Sequence, residues 1–278
     1  MKTLLTLGYS PCPNDTFIFY ALAKGKIDCG GLQFREILED VETLNRMAGR
    51  AELDITKVSF HALAHLRDSY LLLCSGGALG RGCGPLVVTR EMYDMETLRT
   101  KKIAIPGKLT TAFLLLQLYD PALRDRVVEM PFHLIVDAVK NREVDAGLII
   151  HESRFTYQSA GLVSILDLGS WWERLTGLPI PLGGIIAKRS LGHDLVRNVS
   201  SCIRRSIEFA FENPSEPKGY IKSHAQELDD RVIEQHIGLY VNDYSLALGD
   251  EGINAIREFF RLAEDRGLID RSSKHLME

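Results

Sequence analysis

The stretch Gly8-Tyr-Ser-Pro-Cys-Pro-Asn-Asp-Thr-Phe-Ile-Phe19 restricts the fold more than any other part of the sequence. An apolar, β-rich run at 4–7 precedes it, and a helical pattern of apolar residues follows it. The two prolines between them exclude regular structure because each fixes φ near about −65°. We expect Asn14 or Asp15 to cap the helix, with Thr16 in its first turn.

A strand, a rigid polar turn and a helix N-terminus bring N–H groups and short polar side chains to the carboxyl end of the strand. In open α/β sheets, small ligands bind at this position. The stretch therefore predicts one wall of a ligand site, with Ser10 and Asn14 as its polar groups. The same pattern is also compatible with a strand–helix turn that binds nothing.

The composition is that of an ordinary globular protein, with 278 residues, 45% hydrophobic residues and a net charge of −4. Such mild acidity attracts neither nucleic acid nor an anionic membrane, so we expect a small-molecule substrate as the partner. No apolar stretch approaches the roughly 18–20 residues of a membrane span. The N-terminal apolar run is short and interrupted, which favours a first strand in a cytoplasmic protein over a signal peptide. The sequence leaves the oligomeric state open.

The five cysteines form no CxxC pair, and their odd number argues against a complete disulfide framework. Cys12 lies within the opening stretch and is a candidate nucleophile. No sequence feature places a base beside it, and its contact with a substrate is an open alternative.

Residues 1–75 alternate between strand and helix patterns, which is typical of a parallel sheet covered by helices. Five glycines then lie between 76 and 84, but a strand-like segment follows them, so they fit neither a dinucleotide nor a phosphate loop. We interpret the cluster as a chain reversal near a hinge. The predicted strands of this part are 31–38, 53–58 and 70–74, and the predicted helices are 40–49 and 60–66.

A second α/β pattern begins near residue 90, and the chain is almost entirely helical after residue 191. The predicted strands are 102–106, 126–130, 144–150, 162–168 and 182–187, and the predicted helices are 111–118, 133–139, 194–212, 214–224, 229–241 and 250–266.

A long helical tail needs a sheet to pack on, which favours a fold of two α/β lobes. The first lobe would contain 1–88 and 188–278, and the second, 89–187, would be inserted into it. The two crossings near 88 and 187 would form a hinge, and the ligand would lie in the central cleft between the lobes.

Short polar side chains recur where predicted strands meet helices. Hydroxyls and N–H groups at helix N-termini suit carboxylates and sugar-like hydroxyls, although each alone is more often a plain helix cap. These residues are Ser10, Asn14 and Thr16 after the first strand, Lys57 and Ser59 after the third, and Thr110 and Thr111 before helix 111–118.

His151 follows an apolar strand and precedes Glu152, which places it at the tip of that strand. Histidine titrates near neutral pH and is therefore a natural general base, although a surface histidine beside a carboxylate would give the same pattern. His61 and His65 have a spacing that could hold a metal, but no HExxH glutamate and no third ligand accompany them, so we predict no metal site.

The string from Tyr9 to Phe19 resembles the N-terminal signature of the 1,4-dihydroxy-6-naphthoate synthase family, which acts in the futalosine route to menaquinone. Three later segments, 54–59, 105–111 and 147–152, resemble segments of this family in the same order.

The resemblance implies a periplasmic-binding-protein fold of type II, used as a cytoplasmic enzyme. It implies cleavage of cyclic dehypoxanthinyl futalosine to 1,4-dihydroxy-6-naphthoate and dihydroxyacetone, a carbon–carbon lyase reaction, with no cofactor and no metal. It leaves open whether Thr111 acts through its hydroxyl or its N–H. It maps the proton acceptor onto His151 and the substrate contacts onto Lys57, Val58, Ser59, Thr110 and Thr111.

Two alternatives accompany this interpretation. A chorismate dehydratase of the same fold and pathway would also have a cleft without a cofactor, but the opening string and the pair His151-Glu152 favour the synthase. A binding protein for a small organic anion normally needs a signal sequence or lipid anchor, and neither is recognisable here.

Overall fold

The structure is a computed structural model that describes residues 3–226 and 229–278. Two β-sheets, each accompanied by helices, give the α/β fold that the sequence predicts. The first sheet contains β1 Thr3–Tyr9, β2 Leu32–Leu38, β3 Ile55–Ser59, β4 Tyr70–Leu72, β5 Ala78–Gly80 and β11 Ile180–Lys188.

The order of the first sheet is β2-β1-β3-β11-β4, and β5 also pairs with β11. Strands β1, β2 and β3 are parallel, as predicted, but β11 returns from far along the chain and runs antiparallel between β3 and β4. In this register Gly183 lies opposite Ser59. A Cβ atom on Gly183 would lie 2.6 Å from the carbonyl oxygen of Val58, so this close approach requires glycine.

The second sheet has the order β10-β6-β9-β7-β8, with β6 antiparallel to both of its neighbours. The chain passes between the sheets twice, from β5 to β6 and from β10 to β11. The lobe bounds 1–88 plus 188–278 and 89–187 stay a prediction. The strands of this sheet are β6 Leu86–Thr89, β7 Ile103–Ile105, β8 Val127–Glu129, β9 Ala146–Ile149 and β10 Val163–Asp167.

The helices of the described residues follow the predicted pattern closely, including the helical tail. The departures are four helices that were not predicted, namely the short α4, α7 and α12 and the nine-residue α8. The helices are α1 Pro13–Ala23, α2 Val41–Gly49, α3 Phe60–Leu66, α4 Met95–Leu98, α5 Thr111–Tyr119, α6 Ile135–Lys140, α7 Ser153–Thr156, α8 Leu168–Thr176, α9 His193–Glu212, α10 Lys218–His224, α11 Asp230–Tyr240, α12 Asp243–Leu246 and α13 Gly249–Asp265.

Helix α1 is apolar around almost its whole circumference because neighbouring elements cover it on all sides. Helix α9 packs against it, and the hydroxyl of Ser206 donates a hydrogen bond of 2.6 Å to the carbonyl oxygen of Ile18. Side chains of β1, α1 and α9 share one hydrophobic core. The tail therefore packs on the first sheet, as the sequence predicted.

The predicted cap of α1 is wrong. The helix begins at Pro13, and Cys12 occupies the N-cap position without a side-chain hydrogen bond to the first turn. Proline suits this first position because its missing N–H would have no intrahelical acceptor. Asn14 and Asp15 consequently lie inside the first turn, and their side chains point to other partners.

Trp172 is completely buried, and its indole N–H donates to the carbonyl oxygen of Pro179 at 3.0 Å. Its ring meets that of Phe259 edge to face, which identifies it as a core residue. Across residues 3–226 and 229–278, no helix is both long enough and apolar enough to cross a bilayer.

Candidate active site

A cavity lies between the two sheets and encloses about 710 Å³ of empty space, including open solvent at its mouth. This volume is in the range of sites for small organic ligands. The walls come from both sheets and from helix α11. Of the nine residues predicted for the site, Thr16 does not line the cavity, because its hydroxyl donates to the carbonyl oxygen of Cys12 at 3.0 Å. The other eight line it: Ser10, Asn14, Lys57, Val58, Ser59, Thr110, Thr111 and His151.

Asp15 is the centre of the hydrogen-bond network in the N-terminal turn, which we define as residues 10–16. Its carboxylate accepts bonds from the N–H and hydroxyl of Ser10, at 3.1 and 2.8 Å, and from the amide nitrogen of Asn14, at 2.9 Å. The predicted wall residues are thus held by a carboxylate that the sequence had suggested only as a helix cap. Ser10 and Asn14 reach the cavity as parts of this network.

Lys57 supplies the cation of the network. Its Nζ lies 3.1 Å from Oδ1 of Asp15 and donates to the carbonyl oxygen of Gly76 at 3.2 Å. Both charged side chains are almost fully buried, so each depends on the other for its charge to be tolerated there. An ammonium group has three donors, and these two bonds leave the third for an acceptor in the cavity.

Ser59 and Val58 form the wall beside Gly183. The amide of Asn45 contacts Ser59 twice: its oxygen accepts from the Ser59 N–H at 2.9 Å, and its nitrogen donates to the Ser59 hydroxyl oxygen at 3.2 Å. The Ser59 hydroxyl therefore acts as an acceptor toward the protein, which keeps its proton for a donor bond into the cavity.

The threonine pair lies at the N-terminus of α5. The Thr110 hydroxyl donates to Gly107 and accepts from the N–H of Phe113, which makes Thr110 the N-cap. The Thr111 hydroxyl donates to the carbonyl oxygen of Leu182 at 2.6 Å. Both hydroxyl protons are thus used within the protein, and the first-turn N–H groups of the helix are what this wall offers an anion.

His151 comes two residues after the end of β9 and has φ of +57°. This left-handed conformation is uncommon for a residue other than glycine and costs on the order of 1–2 kcal/mol. Such strain is found mainly where the surrounding structure holds a functional side chain in place. The strained backbone turns the His151 side chain into the cavity wall.

The His151 ring is packed between two other aromatic rings. Phe132 stacks on it with a centroid distance of 5.0 Å and an interplanar angle of 28°, and His236 stacks at 5.9 Å and 29°. Desolvation by the surrounding protein lowers the pKa of His151 to about 4, although the Asp15 carboxylate favours the charged form. The ring is therefore neutral at neutral pH and can accept a proton.

His236 is a titratable cavity residue that the sequence analysis missed. It lies on α11, and its Nε2 is 2.9 Å from Oδ1 of Asn14. Burial and the nearby His151 ring lower its pKa well below the ordinary value. Its spacing on an amphipathic helix is that of any core residue, so no signal in the sequence could have identified it.

Cys12, His151 and Glu152 each offer a ligand-type atom, and these atoms lie within 4.8 Å of one another. Burial, reinforced by the Glu152 carboxylate, raises the pKa of the Cys12 thiol well above its usual value. A buried protonated thiol is neither a strong nucleophile nor a metal ligand. We therefore assign no metal site here.

The sequence of this chain has close relatives. A family model described as "Menaquinone biosynthesis" matches residues 5–265. A 1,4-dihydroxy-6-naphthoate synthase of Thermus thermophilus is 50% identical over 272 residues, which cover 98% of this chain and 98% of the relative.

Solved structures agree in fold. A crystal structure of an Archaeoglobus fulgidus protein is 40% identical, with a TM-score of 0.89, over 96% of this chain and 98% of that chain. A Candida albicans protein described as having the generic periplasmic binding protein fold is 14% identical, with a TM-score of 0.69, over 98% of this chain and 92% of that chain. The second likeness shows the fold alone and confirms the predicted periplasmic-binding-protein-like architecture. The family match and the near-full-length identity show that this chain belongs to the menaquinone-biosynthesis family, among the 1,4-dihydroxy-6-naphthoate synthases.

Proposed function

We propose that this protein is a carbon–carbon lyase that converts cyclic dehypoxanthinyl futalosine to 1,4-dihydroxy-6-naphthoate and dihydroxyacetone. His151 acts as the general base. The walls around Lys57, Ser59 and the N-terminus of α5 hold the substrate. The reaction takes place in the cytoplasm and uses acid–base chemistry without a cofactor.

One observation carries the proposal: a neutral histidine ring, held by stacking, shares one cavity with a buried ammonium group and a helix N-terminus. Among the described residues, none forms a hydrogen bond with the His151 ring. A low pKa keeps the ring in the form that accepts protons.

The other walls suit the charges of the substrate. The carboxylate of a naphthoate precursor would be stabilised by first-turn N–H groups of α5 and by the dipole of that helix. Negative charge that develops on oxygen during bond cleavage would be stabilised by the third Lys57 donor and the Ser59 hydroxyl. Val58 and the adjacent Gly183 backbone supply an apolar surface against the ring system.

The reaction balances with these groups alone. His151 takes one proton from the substrate, the bond to the three-carbon fragment breaks, and its electron pair stays with the leaving fragment. That fragment takes up one proton as it becomes dihydroxyacetone. Formation of the aromatic naphthoate ring drives the cleavage, so no electron sink is needed.

The test is His151→Ala, compared with His193→Ala, which removes an exposed histidine at the start of α9. We expect kcat with cyclic dehypoxanthinyl futalosine to fall about 10²- to 10⁴-fold in the first variant, because a positioned base contributes this much. The dissociation constant for 1,4-dihydroxy-6-naphthoate, measured by calorimetry, should change little in either.

Retention of kcat in His151→Ala would refute the assignment of the base. The wild-type protein should also be incubated with chorismate. Dehydration of chorismate in place of futalosine cleavage would identify the dehydratase of the same pathway, and binding without turnover of either substrate would identify an anion-binding protein.

A further inference from the structure

Glu42 is a buried carboxylate that does not line the cavity and has no part in the proposed function. It belongs to the first turn of α2, the helix that connects β2 and β3 of the first sheet. Its two oxygens nevertheless accept the N–H of Leu109, at 3.3 and 3.2 Å, and Leu109 follows β7 of the second sheet. The carboxylate therefore joins parts of the chain that belong to different sheets.

The approach of Glu42 to this loop depends on Gly107. A Cβ atom on Gly107 would lie 2.4 Å from the carboxylate carbon and from Oε2 of Glu42, closer than a Cβ atom approaches other atoms in proteins. The carbonyl oxygen of Gly107 in turn accepts from the hydroxyl of Thr110, the N-cap of α5, at 2.7 Å. Glu42 thus contacts the loop that leads directly into the helix N-terminus offered to an anion.

The same carboxylate also reaches the wall formed by Ser59. Oε2 of Glu42 accepts from the amide nitrogen of Asn45 at 3.3 Å, and this nitrogen also donates to the Ser59 hydroxyl oxygen at 3.2 Å. Both side chains from α2 are buried. Asn45 and Glu42 therefore connect Ser59 to the loop before α5, that is, one wall of the cavity to another.

Arg46 balances the charge of Glu42. Its Nε lies 3.3 Å from Oε1 of Glu42, and its guanidinium group also forms an ion pair with Glu129 of β8. Burial raises the pKa of Glu42, whereas its three hydrogen-bond donors favour the ionised form. Both oxygens accept hydrogen bonds, which is the pattern of an ionised carboxylate.

We propose that Glu42 is a positioning residue for substrate binding: it holds the N-terminus of α5 at a fixed distance from Ser59 before the substrate arrives. The inference rests on the proposed function, in which these two walls hold the substrate. A site whose donors are already in place binds its ligand without the cost of ordering them. Without Glu42, the substrate itself would have to bring the walls together, so the loss would appear in binding rather than in the chemical step.

The test is Glu42→Gln, which keeps the size of the side chain but leaves one acceptor oxygen for three donors. We expect KM for cyclic dehypoxanthinyl futalosine to rise about 10-fold, with kcat changed less than about threefold. Glu42→Ala leaves no acceptor and should raise KM further. Glu129→Gln is the matched control, because it removes the other partner of Arg46 and spares the contact with Leu109. Its KM should stay within about twofold of the wild type.

Two other roles of Glu42 predict different results. A carboxylate that acted through its charge alone would repel the substrate carboxylate, so its removal would lower KM. A residue that merely stabilised the fold would change the fraction of active protein, which lowers the apparent kcat and leaves KM unchanged. Either result would overturn the inference.

Hydrogen exchange at the Leu109 amide tests the inference without any substrate. The bond to Glu42 protects this N–H, so exchange should be about 10-fold faster or more in Glu42→Ala than in the wild type. Glu129→Gln should exchange at the wild-type rate. An unchanged rate in Glu42→Ala would show that Glu42 does not hold the loop, and the inference would be wrong.

Failure of this inference is distinguishable from failure of the proposed function. If the wild type converts cyclic dehypoxanthinyl futalosine and Glu42→Gln keeps the wild-type KM, the function is correct and the positioning role of Glu42 is wrong. If the wild type does not turn over this substrate, the proposed function is wrong, and the exchange of Leu109 still decides whether Glu42 holds the loop.

Discussion

The N-terminal turn and the tip of β9 both line the cavity and are built on opposite principles. In the turn, the Asp15 carboxylate accepts four hydrogen bonds from Ser10, Asn14 and Lys57. At the tip, His151 has a strained backbone and a ring held by stacking. A group that must bind with fixed geometry is best held by several hydrogen bonds. A general base, by contrast, must keep its lone pair available for the substrate.

The difference separates two tasks. The turn is a rigid wall whose polar groups are oriented before any substrate arrives, which lowers the cost of ordering them on binding. The tip is the place where a proton can be transferred, because its desolvated ring is neutral. The stretch that best identifies the family is therefore not the stretch that we expect to do the chemistry.

The largest effect on stability should come from breaking the buried pair of the turn. Lys57→Met leaves the Asp15 carboxylate buried without a cation, and we expect a loss of about 3–5 kcal/mol in the free energy of unfolding. Lys188→Met is the matched control, because its partner Asp54 is partly exposed, and it should cost about 1 kcal/mol or less. Urea unfolding measures both.

A loss in Lys57→Met as small as that in Lys188→Met would contradict the picture of a rigid, charge-paired turn. The double variant Asp15→Asn/Lys57→Met should recover part of the stability, since it leaves no buried charge.

The tip of β9 should make the protein sensitive to acid. The pKa of His151 is lowered to about 4 by desolvation, so the unfolded chain binds this proton at higher pH than the folded protein does. The contribution of the neutral His151 ring to the stability of the folded state is fully present above about pH 6.5 and is lost as the pH falls toward 4. The free energy of unfolding, measured in urea, should fall between pH 7 and pH 4.5 in both proteins. The fall should be smaller in His151→Ala than in the wild type, by up to roughly 2–3 kcal/mol.

His61 is a second histidine whose pKa is lowered to about 4 by burial, and it is not the proposed base. His61→Gln should reduce the acid sensitivity in the same direction. Equal acid sensitivity in the wild type and in His151→Ala would mean that the ring is not desolvated as the structure indicates.

The smallest effect concerns the strain at the tip. Because φ of residue 151 is positive, His151→Gly should be more stable than His151→Ala by about 1 kcal/mol, with both inactive. His133 lies in a short right-handed helical turn, so there the alanine variant should be more stable than the glycine variant, by about 0.5–1 kcal/mol. Equal free energies of unfolding for His151→Ala and His151→Gly would contradict the strain at this position.

Much of the fold followed from local patterns. Asp40 caps α2 and Thr110 caps α5, and the helical tail packs on the first sheet, because capping residues and apolar periodicity act over a few residues. The cap of α1 was wrong for a local reason of its own: Pro13 suits the first helical position and shifts the start of the helix ahead of Asn14. The antiparallel insertion of β11 beside β3 was not predicted, since strand pairing depends on residues far apart in the chain.

The sequence by itself determined the strand–turn–helix unit at the N-terminus, the α/β class and the presence of polar groups at strand ends, because each depends on residues close together in the chain. Only the tertiary structure decided that Asp15 binds Lys57, that the Thr111 hydroxyl donates to Leu182, and that His236 from the tail stacks on His151. These contacts join residues 42, 71 and 85 positions apart, and packing brings them together where no periodic pattern records the pairing.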